Sequence, residues 1–171
     1  ADVPLGTFLS GGTDSSIIAG IASKLHPGIH SFSIGYRDDP FFDETEYAEL
    51  VARHFNTQHH VFKLSNDDLL NHLEGMISNI DEPFADSSAL PVYILSEETR
   101  RHVTVALSGD GADELFGGYN KHLAWQKSVE PSISNAVAKR LLPLWKSLPA
   151  SRSSALGNKV RQLSKYGEGL K

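Results

Sequence analysis

The sequence predicts an α/β protein in which a parallel β-sheet carries helices on both faces. Stretches with the alternation and composition of strands recur four times in the first two thirds of the chain, and segments with helical spacing separate them. The fourth stretch, Val103–Leu107, is apolar at nearly every position, which is typical of a strand buried on both faces of a sheet. This alternation favours parallel strands joined by right-handed crossovers.

The first two strands and the helix between them have clear boundaries. Residues 3–9 form the first predicted strand, and a helical pattern follows over residues 14–25. The sequence His-Pro-Gly at residues 26–28 ends that helix. A second strand is then predicted over residues 29–36, where bulky apolar side chains alternate with serines.

The remaining elements repeat the same order. Asp43 can cap a helix whose apolar positions reach Phe55, and residues 58–64 form the third predicted strand. Ser65 or Asn66 can cap a third helix with an apolar stripe at strict helical spacing, which we expect to pack in the core. The stripe comprises Leu69, Leu70, Leu73, Met76, Ile77 and Ile80. A fourth helix precedes the fourth strand.

Composition limits the class of protein. The chain has 171 residues, of which 40% are hydrophobic and 22% charged, as in one ordinary globular domain. A net charge of -5 argues against a general nucleic-acid binder or a binder of anionic membranes, and no apolar run reaches the length of a membrane span. The absence of cysteine excludes disulfides, thiolate metal sites and cysteine nucleophiles. We therefore expect a soluble cytoplasmic protein.

A glycine-rich loop follows the first strand, with the sequence Leu9-Ser10-Gly11-Gly12-Thr13-Asp14-Ser15-Ser16. The glycines permit backbone conformations closed to other residues, and the helix after them leaves its first N–H groups without intrahelical partners. Those N–H groups, the helix dipole and the serine hydroxyls together favour a phosphate-sized anion. A carboxylate in the same turn, Asp14, fits such a site when Mg²⁺ lies between it and the phosphate.

The loop does not match the better-known phosphate-binding patterns. It lacks both the Gly-x-x-x-x-Gly-Lys-Ser/Thr and the Gly-x-Gly-x-x-Gly patterns, so neither a P-loop NTPase nor a dinucleotide-binding fold is indicated. A Gly-Gly turn before a capped helix, with no ligand at all, is the simpler alternative.

A second loop of glycines and carboxylates follows the fourth strand, over Ser108–Tyr119. Its glycines allow close approach of the backbone to a ligand, while Asp110, Asp113 or Glu114 could bind a metal or transfer protons. The alternative is an acidic first helical turn, which the helix dipole favours without a ligand. Because ligands of parallel α/β sheets lie beyond the carboxyl ends of the strands, both loops predict one site at that edge.

The string Ser-Gly-Gly-x-Asp-Ser-Ser resembles the pyrophosphate-binding loop of the N-type ATP pyrophosphatases. Together with Asp81-Glu82-Pro83 and Leu107–Tyr119, the segment Asp2–Ser16 is similar to the synthetase domain of glutamine-hydrolysing asparagine synthetases, and the resemblance covers about residues 2–122. It implies the Rossmann-like fold of the adenine nucleotide α-hydrolases and the cofactors ATP and Mg²⁺. The implied reaction adenylates the side-chain carboxylate of aspartate and releases pyrophosphate, after which ammonia displaces AMP to give asparagine.

The resemblance also implies roles for individual residues. The pyrophosphate loop corresponds to Ser10, Gly11, Gly12, Asp14, Ser15 and Ser16, with Asp14 as a catalytic Mg²⁺ ligand. The backbones of Leu9 and Ile34 correspond to adenosine contacts, and Ser108 with Gly109 to the pair that holds AMP. Asp113 corresponds to a second metal-binding or pyrophosphate-side carboxylate. Asp110 corresponds to an acidic catalytic position near the reacting carbonyl, where some relatives have the longer Glu, and acid or base chemistry depends on that reach.

Domain organisation follows from the same comparison. We expect residues 1–122 to form the ATP-pyrophosphatase core and residues 123–171 a truncated helical extension, interrupted at Pro143. In the family, ammonia comes from an N-terminal glutaminase domain, which this sequence lacks, so we interpret the chain as a fragment of a protein that could form a homodimer. A lysine that the family directs toward the reacting phosphate has no assignable position in the chain.

Three further features were considered. The connection Asp81–Ser88 borders the aspartate site or caps the following helix, and the first interpretation is slightly favoured. The histidines show no His-x-x-x-His spacing on a helix, and we expect solvent exposure or ordinary packing for His59-His60. Phe41 and Phe42 are expected to pack in the core or in a lid.

Two other functions stay open at this level. One keeps the ATP-pyrophosphatase chemistry but uses another acceptor carboxylate, from a sugar, a peptide or a β-lactam precursor. The other is a nucleotide-binding module without catalysis, which the intact Asp14 and Asp113 disfavour.

Overall fold

The computed structural model describes residues 2–82, 86–129, 133–151 and 154–169. Two compact units are present, residues 1–110 and residues 111–171. The first unit holds the sheet and both strand-ending loops up to Asp110. The expected end of the ATP-pyrophosphatase core at residue 122 stays a prediction.

A four-stranded parallel sheet forms the centre of the first unit, in the order β3-β2-β1-β4. Thr7 on β1 lies opposite Ser31 on β2 and Leu107 on β4, so the central strand pairs on both sides. The predicted parallel α/β fold is confirmed. The strands are β1 (Leu5–Phe8), β2 (His30–Tyr36), β3 (Gln58–Leu64) and β4 (Val105–Leu107).

Four helices cover the sheet in two pairs. The pairs are α1 (Thr13–Leu25) with α2 (Thr45–Phe55), and α3 (Asn66–Ser78) with α4 (Ala89–Arg100). Small residues let the first pair pack closely: a Cβ on Gly20 of α1 would lie 2.6 Å from the Phe55 ring of α2. Leu9, Ala19, Ala48 and Ala52 form the buried cluster on this side. The α4 helix packs on the other face, over Phe32.

The start of α3 shows how a local signal fixes an element. The Ser65 hydroxyl accepts from the Asp68 N–H at 3.2 Å, and the Asp68 carboxylate accepts from the Ser65 N–H at 2.8 Å. This capping box satisfies two backbone donors that the helix cannot satisfy itself. The hydrogen bonds from Ser65 hold the pKa of Asp68 below its usual range.

Two burial predictions were wrong. The β4 strand is only three residues long and lies at the edge of the sheet, so Val105 and Leu107 remain 43% and 38% exposed. An edge strand has one paired side and needs less cover than a central one. The α3 stripe was expected in the core, but no residue of α3 is buried, and Leu70 and Ile77 are largely exposed.

Helices make up the second unit, as the sequence predicted for most of it. They are α5 (Ala112–Phe116), α6 (Asn120–Val129), α7 (Ile133–Arg140), α8 (Leu142–Ser147) and α9 (Ala155–Gly169). Pro143 lies in the first turn of α8, where its missing N–H costs nothing, so the expected interruption becomes a helix start. The Tyr166 hydroxyl of α9 donates to Asn135 of α7 at 2.6 Å.

Within the described ranges, no helix combines the length and the apolar character needed to cross a membrane.

Candidate active site

The glycine-rich loop begins from a fixed point at the carboxyl end of β1. Leu9 is buried, and its N–H donates to the Phe32 carbonyl at 2.8 Å. The buried Ser33 hydroxyl donates to the Leu9 carbonyl. Both polar groups of the Leu9 backbone are therefore tied to β2, and the loop leaves the sheet in a defined direction.

Serine hydroxyls close the loop on itself. The Ser10 and Ser15 hydroxyl oxygens lie 3.0 Å apart, and the Gly12 N–H donates to the Ser10 hydroxyl at 3.3 Å. The Ser15 and Ser16 hydroxyls both donate to the Gly12 carbonyl, at 3.2 Å and 2.6 Å. The hydroxyls are thereby gathered around the first turn of α1 and can reorient toward a ligand without a change of backbone.

The amino end of α1 presents unpaired donors at the same place. The first bond of the helix joins the Ser16 N–H to the Gly12 carbonyl at 3.0 Å, so the N–H groups of Thr13, Asp14 and Ser15 precede it. The residue before the helix is Gly12, which has no side chain to cap them. A helix of 13 residues also places the positive end of its dipole here. This geometry suits an anion.

Gly11 is required by two constraints. Its φ of +83° lies in the left-handed region that other residues adopt at a cost. A Cβ there would lie 2.5 Å from the Tyr47 Cβ and 2.6 Å from the Ala48 backbone nitrogen. The loop therefore packs directly on the first turns of α2, and that contact leaves no room for a side chain.

The second loop touches the first at the carboxyl edge of the sheet. A Cβ on Gly109 would lie 2.9 Å from the Ser15 nitrogen and 3.2 Å from the Asp14 Cβ. The Asp110 N–H donates to the Ser108 hydroxyl at 3.0 Å, which shapes the turn after β4. The structure thus brings together the two loops that the sequence placed at one edge, and the Asp110 side chain is exposed beside them.

The later acidic residues belong to the second unit. Asp113 lies in α5, and its carboxylate packs against Gly118, where a Cβ would collide with it. Glu114 accepts from the Tyr119 hydroxyl at 2.6 Å, and this hydrogen bond lowers the pKa of Glu114. Glu114 was one of three candidates for metal binding or proton transfer, and the structure gives it a partner within its own loop.

A cleft of about 890 Å³ opens next to the glycine-rich loop. Leu9, Ser10 and Ile34 line it, and α4 provides an apolar wall that includes Leu90 and Leu95. Its volume falls within the range of small-molecule sites. Asp39 and Glu44 also line the cleft, whereas no lysine, arginine or histidine does so among the residues that the structure describes. The described lining therefore offers no positive charge to a polyphosphate placed here.

Sequence reasoning missed the α4 wall, and of its two alternatives for one pair of aromatic residues, core or lid, the structure excludes the core. The wall has no local motif, because its apolar residues become a surface of the cleft only when α4 packs over β2. Phe41 and Phe42 follow Pro40 in a 3₁₀ turn and lie about half exposed on the cleft, with their rings in edge contact at 5.2 Å. They are not core residues.

The acidic connection before α4 is partly described. The Asp86 carboxylate accepts from the Ser88 N–H at 2.9 Å and from its hydroxyl at 2.8 Å, which lowers the pKa of Asp86. This contact shapes the turn before α4, whereas the Ser88 side chain makes no capping hydrogen bond to the helix, so neither interpretation of the connection is decided. Asp81 and Glu82 are exposed, and Pro83 lies outside the described residues.

Fold and loops together define an α/β protein with two glycine-containing loops in contact at the carboxyl edge of a parallel sheet. The sequence profile of the asparagine synthase family matches residues 1–168. The chain belongs to the asparagine synthase family.

Individual relatives agree with this assignment. The glutamine-hydrolysing asparagine synthetase 1 of Bacillus subtilis is 43% identical over 120 residues, which are 70% of this chain and 19% of that protein. The glutamine-hydrolysing asparagine synthetase 1 of Arabidopsis thaliana is 34% identical over 131 residues, covering 69% of this chain and 22% of that protein. The aligned part thus spans about a fifth of each relative's length.

Among solved structures, an NH₃-dependent NAD synthetase from Campylobacter jejuni aligns with a TM-score of 0.44 and 12% identity. The alignment covers 96% of this chain and 85% of that one.

Proposed function

We propose that the chain is the ATP-binding core of an amide-forming ligase that adenylates the side-chain carboxylate of aspartate. Pyrophosphate leaves in that step, and ammonia then displaces AMP to give asparagine. The observation that carries the proposal is the contact of Gly109 with the Asp14–Ser15 backbone, which joins the two loops in a member of this family. One ligand at the carboxyl edge of the sheet can therefore touch both loops.

The first loop is assigned to the pyrophosphate part of ATP. The free N–H groups of residues 13–15 point along the helix axis toward the anion, and the hydroxyls of Ser10, Ser15 and Ser16 supply further donors. The backbone N–H groups are fixed before the ligand arrives, whereas the hydroxyls must first rotate away from their bonds within the loop. The N–H groups stabilise charge that develops on the leaving pyrophosphate, and such preorganised donors do not need to reorganise during the reaction.

Mg²⁺ fits the chemistry of this loop. The Asp14 carboxylate takes part in none of the ion pairs among the described residues, and the same loop carries the hydroxyls of Ser10 and Ser15, so the loop offers hard oxygen atoms. Mg²⁺ prefers one or two carboxylates together with phosphate oxygens. When bound, the ion neutralises phosphate charge and polarises the phosphoryl group.

The cleft is assigned to the adenosine part. Leu9 and Ile34 line it, and the apolar α4 wall would remove the base from water. Ser108 and Gly109 stand next to the first loop and are proposed to hold the AMP portion, with Asp110 near the reacting carbonyl. Asp113 is proposed as a second carboxylate for metal or pyrophosphate.

In the proposal, a glutaminase domain of the full-length protein supplies the ammonia that displaces AMP. The cytoplasmic location and the homodimer likewise concern the full-length protein and stay predictions. We expect the chain to bind nucleotide better than it turns it over. Asparagine formation at about 1 per second or more would contradict this expectation.

Calorimetric titration of ATP and Mg²⁺ tests the nucleotide site. Asp14→Asn should weaken Mg²⁺-dependent ATP binding about tenfold or more, equivalent to about 1.4 kcal/mol. Asp67→Asn is a matched control, because Asp67 is also the second residue of its helix and lies outside both loops. Equal affinity of the parent chain and Asp14→Asn in the presence of Mg²⁺ would contradict the assignment of the loop.

A further inference from the structure

Three histidines from separate parts of the chain meet at the amino edge of the sheet, opposite the candidate active site. His30 opens β2, His60 is the third residue of β3, and His102 lies in the connection between α4 and β4. One ring nitrogen of each lies within 4.8 Å of the others. Among the described residues, no other group of three or more histidine or acidic side chains comes this close.

The rings already have mutual contacts. His30 Nδ1 and His60 Nε2 are hydrogen-bonded at 2.9 Å, and their rings stack with centroids 5.1 Å apart. The His60 and His102 rings lie 4.3 Å apart at a tilt of 37°. Three nitrogens around a tetrahedral Zn²⁺ are about 3.4 Å from one another, given Zn–N bonds of about 2.1 Å. Side-chain rotations that move the ring nitrogens by about an ångström therefore suffice to bring all three into coordination.

Surrounding residues hold the three rings in place. Phe32 lies in the same register row as His60, and its ring contacts those of His60 and His102 at 5.0 Å and 5.7 Å. The His102 N–H donates to the Thr99 carbonyl at 2.9 Å, and the next residue, Val103, is buried. Gly6 on β1 leaves room for Phe32 and Val103, because a Cβ there would lie 2.7 Å from the Phe32 ring.

The charge state of the cluster suits a metal. Burial lowers the pKa of His60, and the neighbouring imidazoles of His102, His30 and His59 lower it further. The neutral imidazole is the form that binds a metal ion. His102 is exposed, so an ion can reach the cluster from solvent and a water molecule can complete the coordination.

We propose that His30, His60 and His102 form a binding site for a divalent transition metal of the zinc class, with three imidazole ligands and one water. Imidazole nitrogen is a preferred ligand of such ions, and three histidines with an open fourth position are a known arrangement for Zn²⁺. The ion would link β2, β3 and the α4–β4 connection. The site stands at the edge of the sheet away from both loops and does not depend on the proposed nucleotide site.

Titration of Zn²⁺ against a competing chromophoric chelator, in the absence of nucleotide, tests the proposal. We expect one tight site per chain, and His102→Asn and His60→Asn should each weaken it at least about tenfold, the scale seen when metal sites lose supporting groups. His26→Asn is the control, because His26 is exposed at the end of α1 and outside the cluster. The control should bind like the parent chain.

Co²⁺ provides a second measurement with a structural signature. The parent chain and His26→Asn should show the visible absorption of four-coordinate Co²⁺, and His102→Asn should lose it. Circular dichroism establishes that His102→Asn is folded, and because His102 is exposed this variant decides the question if His60→Asn does not fold. Absence of Zn²⁺ binding in the parent chain, or unchanged affinity in a folded His102→Asn variant, would overturn the proposal.

Discussion

The two edges of the sheet use different parts of the chain. At the carboxyl edge, Gly11 and Gly109 bring backbone against backbone, and the donors offered to a ligand are N–H groups and hydroxyls. At the amino edge, the cluster of His30, His60 and His102 offers side-chain nitrogens. A backbone site depends on shape and fails when volume is added. An imidazole site tolerates changes of shape better but responds to protons.

The largest effect is expected from Gly11→Ala. The new Cβ would combine a φ of +83° with contacts of 2.5–2.6 Å to α2, so the free energy of unfolding should fall by about 2–4 kcal/mol. Denaturant unfolding measures the change. Gly12→Ala is the control, because its Cβ would meet only the Ser10 hydroxyl at 3.3 Å, and it should have a much smaller effect. Equal losses in the two variants would show that the fit of the loop on α2 is not the cause.

A smaller effect is expected from Gly109→Ala, which separates the two loops. Its Cβ would lie 2.9 Å from the Ser15 nitrogen, and overpacking of this kind costs about 1–3 kcal/mol. Both the free energy of unfolding and the affinity for ATP should therefore decrease. Gly111→Ala serves as a comparison, because its Cβ has open space around it and only the positive φ opposes it. Unchanged ATP affinity in Gly109→Ala would show that the contact between Gly109 and Ser15 does not contribute to nucleotide binding.

Ser65→Ala lies away from both the glycine loops and the histidine cluster, and it provides a reference value for the stability losses. Loss of the capping box at α3 should lower the free energy of unfolding by about 1 kcal/mol, measured by thermal or denaturant unfolding. Ser78→Ala, at the other end of the same helix, gives up only an exposed bond to the Glu74 carbonyl and should change stability less. A larger loss for Ser78→Ala would contradict the importance of the cap.

The smallest expected effect is a pH dependence of the free energy of unfolding, caused by histidines near the amino edge of the sheet. Burial lowers the pKa of His59 and of His60 below the ordinary 6.5, so the unfolded chain takes up protons first as the pH falls. The free energy of unfolding should therefore decrease as pH falls from about 7.5 through 6.5 and below, in metal-free buffer. His60→Asn should reduce this slope, whereas His26→Asn should retain it. An identical slope in all three proteins would assign the pH dependence to other groups.

The carboxyl edge was largely predictable because its chemistry is contiguous in sequence. Glycines, serines and Asp14 stand within one turn after a strand, and the rule that ligands lie beyond strand ends joined this loop to Ser108–Asp110. What sequence could not supply was the direct contact of Gly109 with Ser15, since that distance depends on the register of β4 beside β1. The roles of the individual residues remain predictions.

The histidine cluster was not predictable in this way. Its members come from three places, and His60 meets His30 only because Phe32 pairs with His60 in the parallel register of β2 and β3. The sequence-based expectation, solvent exposure or ordinary packing, treated His59 and His60 alike. In the structure His59 bonds the Ser31 hydroxyl at 2.8 Å, whereas the ring of His60 joins the cluster on the other face of the strand.

Strand order determined the errors in burial. Apolar content alone suggested a fully buried fourth strand. The place of β4 as the outermost strand is set by the order of strands in the sheet, and the residues of β4 do not reveal it. The same holds for α3, whose stripe has helical spacing but lies on a helix that packs mainly on α4. Periodicity predicts that a face exists, and tertiary order decides how much of it is covered.

The pairing of β1 with β4 also bears on how the chain folds. Gly6 pairs with His30, 24 residues away, but Leu5 pairs with Val105, 100 residues away. Closing a loop about four times longer costs roughly 1.2 kcal/mol more chain entropy, and distant contacts slow folding. We therefore expect β4 to join the sheet last. The Gly109 loop arrives with it, so the two halves of the proposed nucleotide site meet only in the final stage of assembly.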